Sequence, residues 1–206
     1  MTPTEPSRDE RPFAFGENWA DFAKGIDEGA IAEAEAGLLK LIDKSDMAGA
    51  SFLDIGCGSG LHALAAIRLG ADRVVALDVD PDSVATANSV LSHHAAGQKW
   101  TVRRQSVLQA KPDMSSFDVV YSWGVLHHTG DLSLAMRNAA ALVAPGGLFV
   151  FASTAAPGSI RSGSEKSGGT RPPRPRRRRE CTRCIAAPCG SDCLPPGQLP
   201  QPRAWL

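Results

Sequence analysis

The densest chemistry in the chain lies in Asp54-Ile55-Gly56-Cys57-Gly58-Ser59-Gly60. Three glycines at alternate positions let a backbone turn sharply and let a ligand approach the main chain closely. Placed between a strand and a helix, such a loop offers the unpaired N–H groups of a helix N-terminus to that ligand. A dinucleotide fingerprint needs Gly-x-Gly-x-x-Gly. That pattern requires glycine where this chain has Leu61; the third glycine stands at Gly60 instead. The second piece is Asp78, 18 residues beyond Gly60, at the end of the next apolar run. A carboxylate there is placed to accept both hydroxyls of a ribose. The loop alone does not separate a cofactor site from a bare turn. With the acid added, a nucleoside-type cofactor is the reading.

His127-His128 is the other candidate constellation. An imidazole titrates near neutral pH, so either ring is a candidate general base. A packing role competes and carries more weight, with one ring starting a helix and the other at the pocket mouth. No cluster of Cys, Asp or Glu lies near them, so no metal site is expected. His93-His94 read as surface residues.

The elements that must position these groups follow from periodicity. Ile31, Ala34, Leu38, Leu41 and Ile42 recur at helical spacing. Ser51 to Ile55 is a short apolar run that reads as a strand entering the glycine turn. Leu61 to Leu69 reads as a helix capped by Gly70. Arg73 to Asp78 is a second strand, and Pro81 opens a helix to about Ala96. Trp100 to Arg103, Phe117 to Tyr121 and Leu148 to Phe151 are further strands, the last entered through a Pro145-Gly146-Gly147 turn after a helix over Leu132 to Val143. Strands alternating with helices imply a parallel α/β sheet with right-handed crossovers. Ligands bind such sheets at the carboxyl ends of the strands, and polar or glycine residues end the first four strands.

LDIGCGSG, VVALDVDP, FDVVYSWGVLHHTGD and LVAPGGLFVF, in that order and spacing, resemble the class I S-adenosylmethionine-dependent methyltransferases. The resemblance covers roughly residues 50–152. It implies a Rossmann-like, doubly wound parallel sheet, of which five strands are readable and the last two are missing. It implies S-adenosylmethionine as cofactor. Asp54, Gly56, Gly58 and Gly60 would shape the pocket for its methionine part. Asp78 would bind the ribose and Val79 would lie against the adenine. Ser106-Val107 would flank the adenine edge, with Gln109 nearby where the family often has an acid. Ser122 would offer its backbone carbonyl to the cofactor's amino group. Phe15, Asn18 and Trp19 match the position of an N-terminal lid, with simple hydrophobic docking the competing role for Trp19. The acceptor would lie near that lid and the stretch from Trp123 to His128. Methyl transfer is an in-line displacement helped mainly by orientation, so a strong base is not required of His127 or His128.

The chain has 206 residues and equal numbers of basic and acidic side chains, 22 of each. That neutrality is a sum of two unlike parts. Residues 1–159 carry 12 basic and 19 acidic groups; residues 160–206 carry 10 and 3. The acidic part gives no sign of a polyanionic substrate. The tail holds Arg176 to Arg179 and four cysteines, Cys181, Cys184, Cys189 and Cys193. A phosphate-binding role or a zinc clip is conceivable there, but the cysteine spacing leaves almost no framework around a metal. A one-nucleotide frame shift near Ala152–Ser153 explains the change of composition better. On that view the fifth strand loses its neighbour and exposes an apolar edge.

The expected organisation is therefore an N-terminal segment and lid helix at 1–48, a cofactor-binding core at 49–153, and a disordered Arg/Pro/Cys-rich tail at 154–206. The expected function is methylation of a small molecule by a cytoplasmic enzyme, weakly active if truncated. No apolar run is long enough to span a bilayer, the polar N-terminus is unlike a targeting peptide, and no membrane or nucleic-acid partner is expected. The alternatives are a non-catalytic cofactor-binding remnant, a nucleic-acid binder acting through the basic tail, and a nicotinamide oxidoreductase, which the glycine spacing opposes. Oligomeric state and acceptor are left open.

Overall fold

The computed structural model describes residues 16–110, 116–153 and 183–188. In chain order these form α1 (Gly16–Ala23), α2 (Glu28–Leu39), α3 (Lys44–Met47), β1 (Ser51–Ile55), α4 (Leu61–Arg68), β2 (Arg73–Asp78), α5 (Pro81–His94), β3 (Trp100–Arg104), β4 (Phe117–Trp123), α6 (Leu132–Ala141), β5 (Val143–Ser153) and β6 (Arg183–Pro188). Short 3-10 turns over Val107–Gln109 and Leu126–His128 follow β3 and β4. No helix among the described residues is long and apolar enough to cross a membrane.

All strands lie in one sheet, in the order β3-β2-β1-β4-β5-β6, and every neighbouring pair is parallel. The chain winds outward from β1 to β3, then returns to lay β4 on the other side of β1. The point where the winding reverses is the crevice between the carboxyl ends of β1 and β4, where open α/β sheets bind ligands. β1 is buried on both faces by this arrangement. Phe52 and Leu53, on opposite faces, are each fully buried. One face packs on α2, α4 and α5 through Ile31, Leu38, Leu64, Ala87 and Leu91. The other packs on α6 and the two 3-10 turns through Leu53, Leu77, Leu126, Ala135 and Phe149.

Local chemistry explains the helix starts. Asp27 accepts the Ala30 N–H at the head of α2, and Asp131 accepts the Leu134 N–H at the head of α6. Pro81 opens α5, where its missing N–H costs nothing. β1 and β4 are also pinned at their amino ends. Asp118 accepts from both the backbone N–H and the hydroxyl of Ser51. The Ser51 hydroxyl accepts the Asp118 N–H in return.

Three expectations change. Pro145-Gly146-Gly147 is not a turn ahead of a short strand but lies inside the eleven-residue β5. Val143 already pairs with Phe117, and the register then shifts so that Leu148 pairs with Val119. The three residues bulge out between those pairs, where a proline's missing N–H is tolerated. The helix read from Ile31 onward starts earlier, at Glu28, because the Asp27 cap and not the first apolar residue sets its beginning.

The third change is at the sheet edge. The tail is not without elements, and the sheet has six strands rather than five. Residues 183–188 pair with β5 in parallel, from Leu148 to Ser153. An edge strand presents a row of unpaired N–H and C=O groups, and this pairing satisfies them. The β5 edge expected to be exposed is therefore covered along that stretch. The proposed frame-shift position borders residues 154–182, which lie outside the described residues, as do Phe15, the arginine run and Cys181, Cys189 and Cys193.

Candidate functional site

The glycine loop leaves β1 at the carboxyl edge of the sheet. Gly56 and Cys57 both donate their N–H to the carbonyl of Leu77 on β2, at 2.7 and 3.0 Å. The loop is thereby tied to the strand that ends in Asp78. Gly56, Gly58 and Gly60 all take positive φ, at 77°, 53° and 80°. Only glycine does this without strain.

These glycines also make room for the protein itself. A Cβ at Gly56 would overlap the side chain of Val125, in the segment after β4. A Cβ at Gly58 would lie 2.7 Å from Cε2 of Trp19 on α1. A Cβ at Gly60 would lie 3.0 Å from that of Ala87 on α5. The loop is thus held at three points by three different elements. Trp19, half-buried, packs its ring edge-on to Phe22 at 5.8 Å and rests on Gly58. Gly16–Ala23 therefore forms a short helix that meets the loop through Trp19. Asn18 beside it is exposed.

Two carboxylates serve this loop in different ways. Asp78 has both oxygens engaged: Oδ2 accepts the Gly58 N–H and Oδ1 the Asp80 N–H, each at 3.0 Å. Burial pushes its carboxyl above the ordinary value, against the pull of those N–H donors. Asp54 is almost wholly buried, and its Oδ2 has no hydrogen-bond partner. Burial, then the nearby charge of Asp78, push its carboxyl up to about 7, against a backbone hydrogen bond from Ala63. A buried carboxylate oxygen without a donor calls for a cationic or N–H group from outside. The unpaired Oδ2 of Asp54 fits a ligand with a cationic head. Cys57 lies between them, nearly buried, with its thiol pushed well up by burial and by both carboxylates.

The remaining predicted residues lie at or just after the carboxyl ends of β2, β3 and β4. Val79 is half exposed beside Asp78, one of two large apolar side chains open to solvent among the described residues. Its carbonyl accepts from Nε of Arg104. Ser106 caps the first 3-10 turn by accepting the Leu108 N–H. Val107 is buried below it, and its carbonyl accepts from Asn138 of α6. Gln109 is exposed. Ser122 is fully buried and donates its hydroxyl to the carbonyl of Ile55, linking the carboxyl ends of β4 and β1. Trp123 stacks on Tyr121 almost in parallel, with centroids 5.9 Å apart.

His127 and His128 sit on the 3-10 turn directly after Val125, with ring centroids 3.9 Å apart. Burial, and for His127 the neighbouring imidazole, hold both below the ordinary histidine value. Both are therefore neutral at physiological pH. Neither ring nitrogen of His127 has a hydrogen-bond partner. Among the described residues no group of His, Cys, Asp and Glu is arranged to hold a metal.

Sequence reasoning missed His62. It stands in the first turn of α4, two residues past the glycine loop, and its ring lies 5.2 Å from that of Tyr121. Burial lowers it to about 4, so it is neutral. With Tyr121, Trp123 and Phe52 it forms a run of neighbouring rings on one face of β1 and β4. The available signal was a histidine in the first turn of the apolar run that opens at Leu61.

Residues 52–147 match a family model described as a methyltransferase domain. Over 110 residues the chain is 38% identical to a ubiquinone biosynthesis O-methyltransferase of Methylobacterium sp. (strain 4-46), covering 52% of this chain and 42% of that protein. Over 109 residues it is 30% identical to a ribosomal protein L11 methyltransferase of Photobacterium profundum, covering 53% and 35%. The chain thus spans less than half the length of these curated relatives. Among solved structures, the fold is similar to that of a magnesium protoporphyrin IX methyltransferase from Synechocystis PCC 6803, with a TM-score of 0.53 at 21% identity, covering 66% of this chain and 69% of that one. Over residues 52–147 the chain is thus similar to methyltransferase domains.

Proposed function

We propose that this chain binds S-adenosylmethionine at the glycine loop and transfers its methyl group to a small molecule. The observation that carries this reading is the buried, donor-less Oδ2 of Asp54 beside a loop whose third glycine is at Gly60 and whose Gly58 N–H is held by Asp78. An acidic, desolvated pocket suits a ligand bearing sulfonium and ammonium charges. It disfavours the pyrophosphate of a nicotinamide cofactor.

When bound, the cofactor supplies an activated methyl group on a positively charged sulfur. The chain's residues supply placement. Asp78 keeps lone pairs free beyond its two backbone bonds and takes the ribose hydroxyls. Val79 offers an open apolar face to the adenine, and Ser106-Val107 close its edge. Asp54 and the carbonyl of Ser122 face the cationic head. Trp19 covers the loop at Gly58 and excludes water. Trp123, His127 and His128 border the acceptor's side. A neutral imidazole there accepts the proton that an O–H or N–H acceptor loses. The family relationship supports a small-molecule acceptor, since one relative's name places it in ubiquinone biosynthesis.

Titration calorimetry with S-adenosylhomocysteine and with NAD tests the cofactor. We expect S-adenosylhomocysteine to bind and NAD not to. Binding of NAD, or of neither, would overturn the reading. Transfer of radiolabelled methyl to phenolic, amine and carboxylate acceptor panels then tests turnover and separates an enzyme from a cofactor-binding remnant.

A further inference from the structure

We propose that Asp54 couples cofactor capture to the loss of one proton: the buried carboxyl carries a proton in the ligand-free protein and ionises when the cofactor's cationic head enters. The inference rests on the reading of this pocket as an S-adenosylmethionine site.

The geometry sets up the coupling. Asp54 lies at the reversal point of the sheet, almost wholly buried, with one oxygen bare of donors. Asp78, at the end of the adjacent strand, is the other carboxylate on the same loop, and it takes the Gly58 and Asp80 N–H groups for itself. Among the described residues no lysine or arginine forms an ion pair with either acid. Two like charges in a desolvated crevice disfavour one another, so one site keeps its proton. Asp54 is the better holder, since one of its oxygens has no donor whereas both oxygens of Asp78 accept a backbone N–H.

The titratable groups on the surrounding elements leave this balance in place. From the loop, the Cys57 thiol is pushed well up and stays neutral. From α4, His62 is neutral above about pH 4. From β4 comes the buried phenol of Tyr121. From the turn after β4 come His127 and His128, both held below the ordinary histidine value. Asp80 is committed to the head of α5, accepting from Asp82 and Ser83. From α1, Asp21 and Lys24 pair with each other at the surface. No positive charge among these compensates Asp54. A ligand that brings one replaces the proton on Oδ2, and the proton passes to buffer.

The predicted signature is proton release on binding, read by titration calorimetry of the full chain in two buffers of different ionisation enthalpy. At pH 6 S-adenosylmethionine should release close to one proton, and at pH 8 almost none. With Asp54 titrating near pH 7, the affinity should fall about tenfold from pH 8 to pH 6. Asp54→Asn should bind with no proton release and a flat pH profile. No release by the wild type at pH 6, or equal release by the variant, would overturn the proposal. If the variant does not fold, difference infrared spectroscopy of the wild type decides: the protonated-carboxyl band must disappear when S-adenosylmethionine is added at pH 6, and its persistence overturns the coupling. Failure of both S-adenosylmethionine and S-adenosylhomocysteine to bind would instead overturn the cofactor reading on which the proposal stands.

Discussion

The indole of Trp19 rests on Gly58, so close that a single added carbon at position 58 would lie 2.7 Å from Cε2 of the ring. The N-terminal helix therefore meets the glycine loop at a residue with no side chain. The loop's shape and the helix's docking are one structural feature.

Gly58→Ala should carry two costs. A positive φ of 53° costs an L-residue about 1–2 kcal/mol, and the new methyl also displaces Trp19. Trp19→Ala removes the second cost and leaves the first. We therefore expect a non-additive double-mutant cycle, in which Gly58→Ala is less damaging in the Trp19→Ala background. Urea midpoints of the two single variants and the double variant measure it. Additive effects would mean that the indole does not restrain the loop.

Asp54 and His62 should oppose each other in the pH dependence of stability. The Asp54 carboxyl is raised from 3.8 to about 7 by burial and then by the charge of Asp78, so the folded chain holds its proton more tightly than the unfolded chain. Its contribution is fully present below pH 4 and is lost as pH rises to 7. His62 is lowered from 6.5 to about 4 by burial, so its contribution is present above pH 6.5 and is lost as pH falls to 4. Between pH 4 and 6.5 the two slopes cancel. Asp54→Asn should leave a slope that rises with pH, and His62→Gln one that falls. At pH 8 the Asp54→Asn chain should be the more stable by about 2–4 kcal/mol. Urea midpoints at pH 4.5, 6 and 8 decide it. A gap between Asp54→Asn and wild type that does not widen with pH would contradict the assignment.

What the sequence made legible follows from range. Strands β1 and β2 were readable to the residue, because burial on both faces leaves largely apolar runs, such as Val74 to Leu77, between turn residues. Asp54, Asp78 and the glycines were readable because their chemistry lies in local spacing. Trp19 on Gly58 and Val125 on Gly56 were not, since each joins segments far apart in the chain. The role of His62 needed Tyr121 beside it. The bulge in β5 read as a turn because Pro145-Gly146-Gly147 has turn composition, and only pairing with β4 keeps it inside a strand. β6 was unreadable because a six-residue run gains its partner only from the β5 edge.

Asp78→Asn should weaken S-adenosylhomocysteine binding by about ten- to a hundredfold. Both carboxylate oxygens accept a backbone N–H, from Gly58 and Asp80. An amide offers one oxygen, so its NH2 must face one of those donors. The remaining oxygen lacks the charge that strengthens hydrogen bonds to ribose hydroxyls, worth about 1.5–3 kcal/mol. Calorimetry at pH 8, where Asp54 is ionised in both proteins, isolates the effect. Binding within twofold of wild type would remove Asp78 from the ribose site.

Ser122→Ala should damage the pocket without touching a ligand-facing side chain. The Ser122 hydroxyl is buried and donates to the carbonyl of Ile55 at 3.0 Å. Ile55 is the last residue of β1, and Gly56 next to it donates to Leu77 at 2.7 Å. Without the hydroxyl, the Ile55 carbonyl loses that donor at the buried junction of β1 and β4, at a cost of about 1–3 kcal/mol. The loop's anchor on β2 should loosen with it. We expect a lower urea midpoint together with faster amide exchange at Gly56 and Cys57, while amides in α6 keep their protection relative to global unfolding. Unchanged exchange at those two amides would show that the glycine loop is held by β2 alone and that the Ser122 bond serves only the sheet.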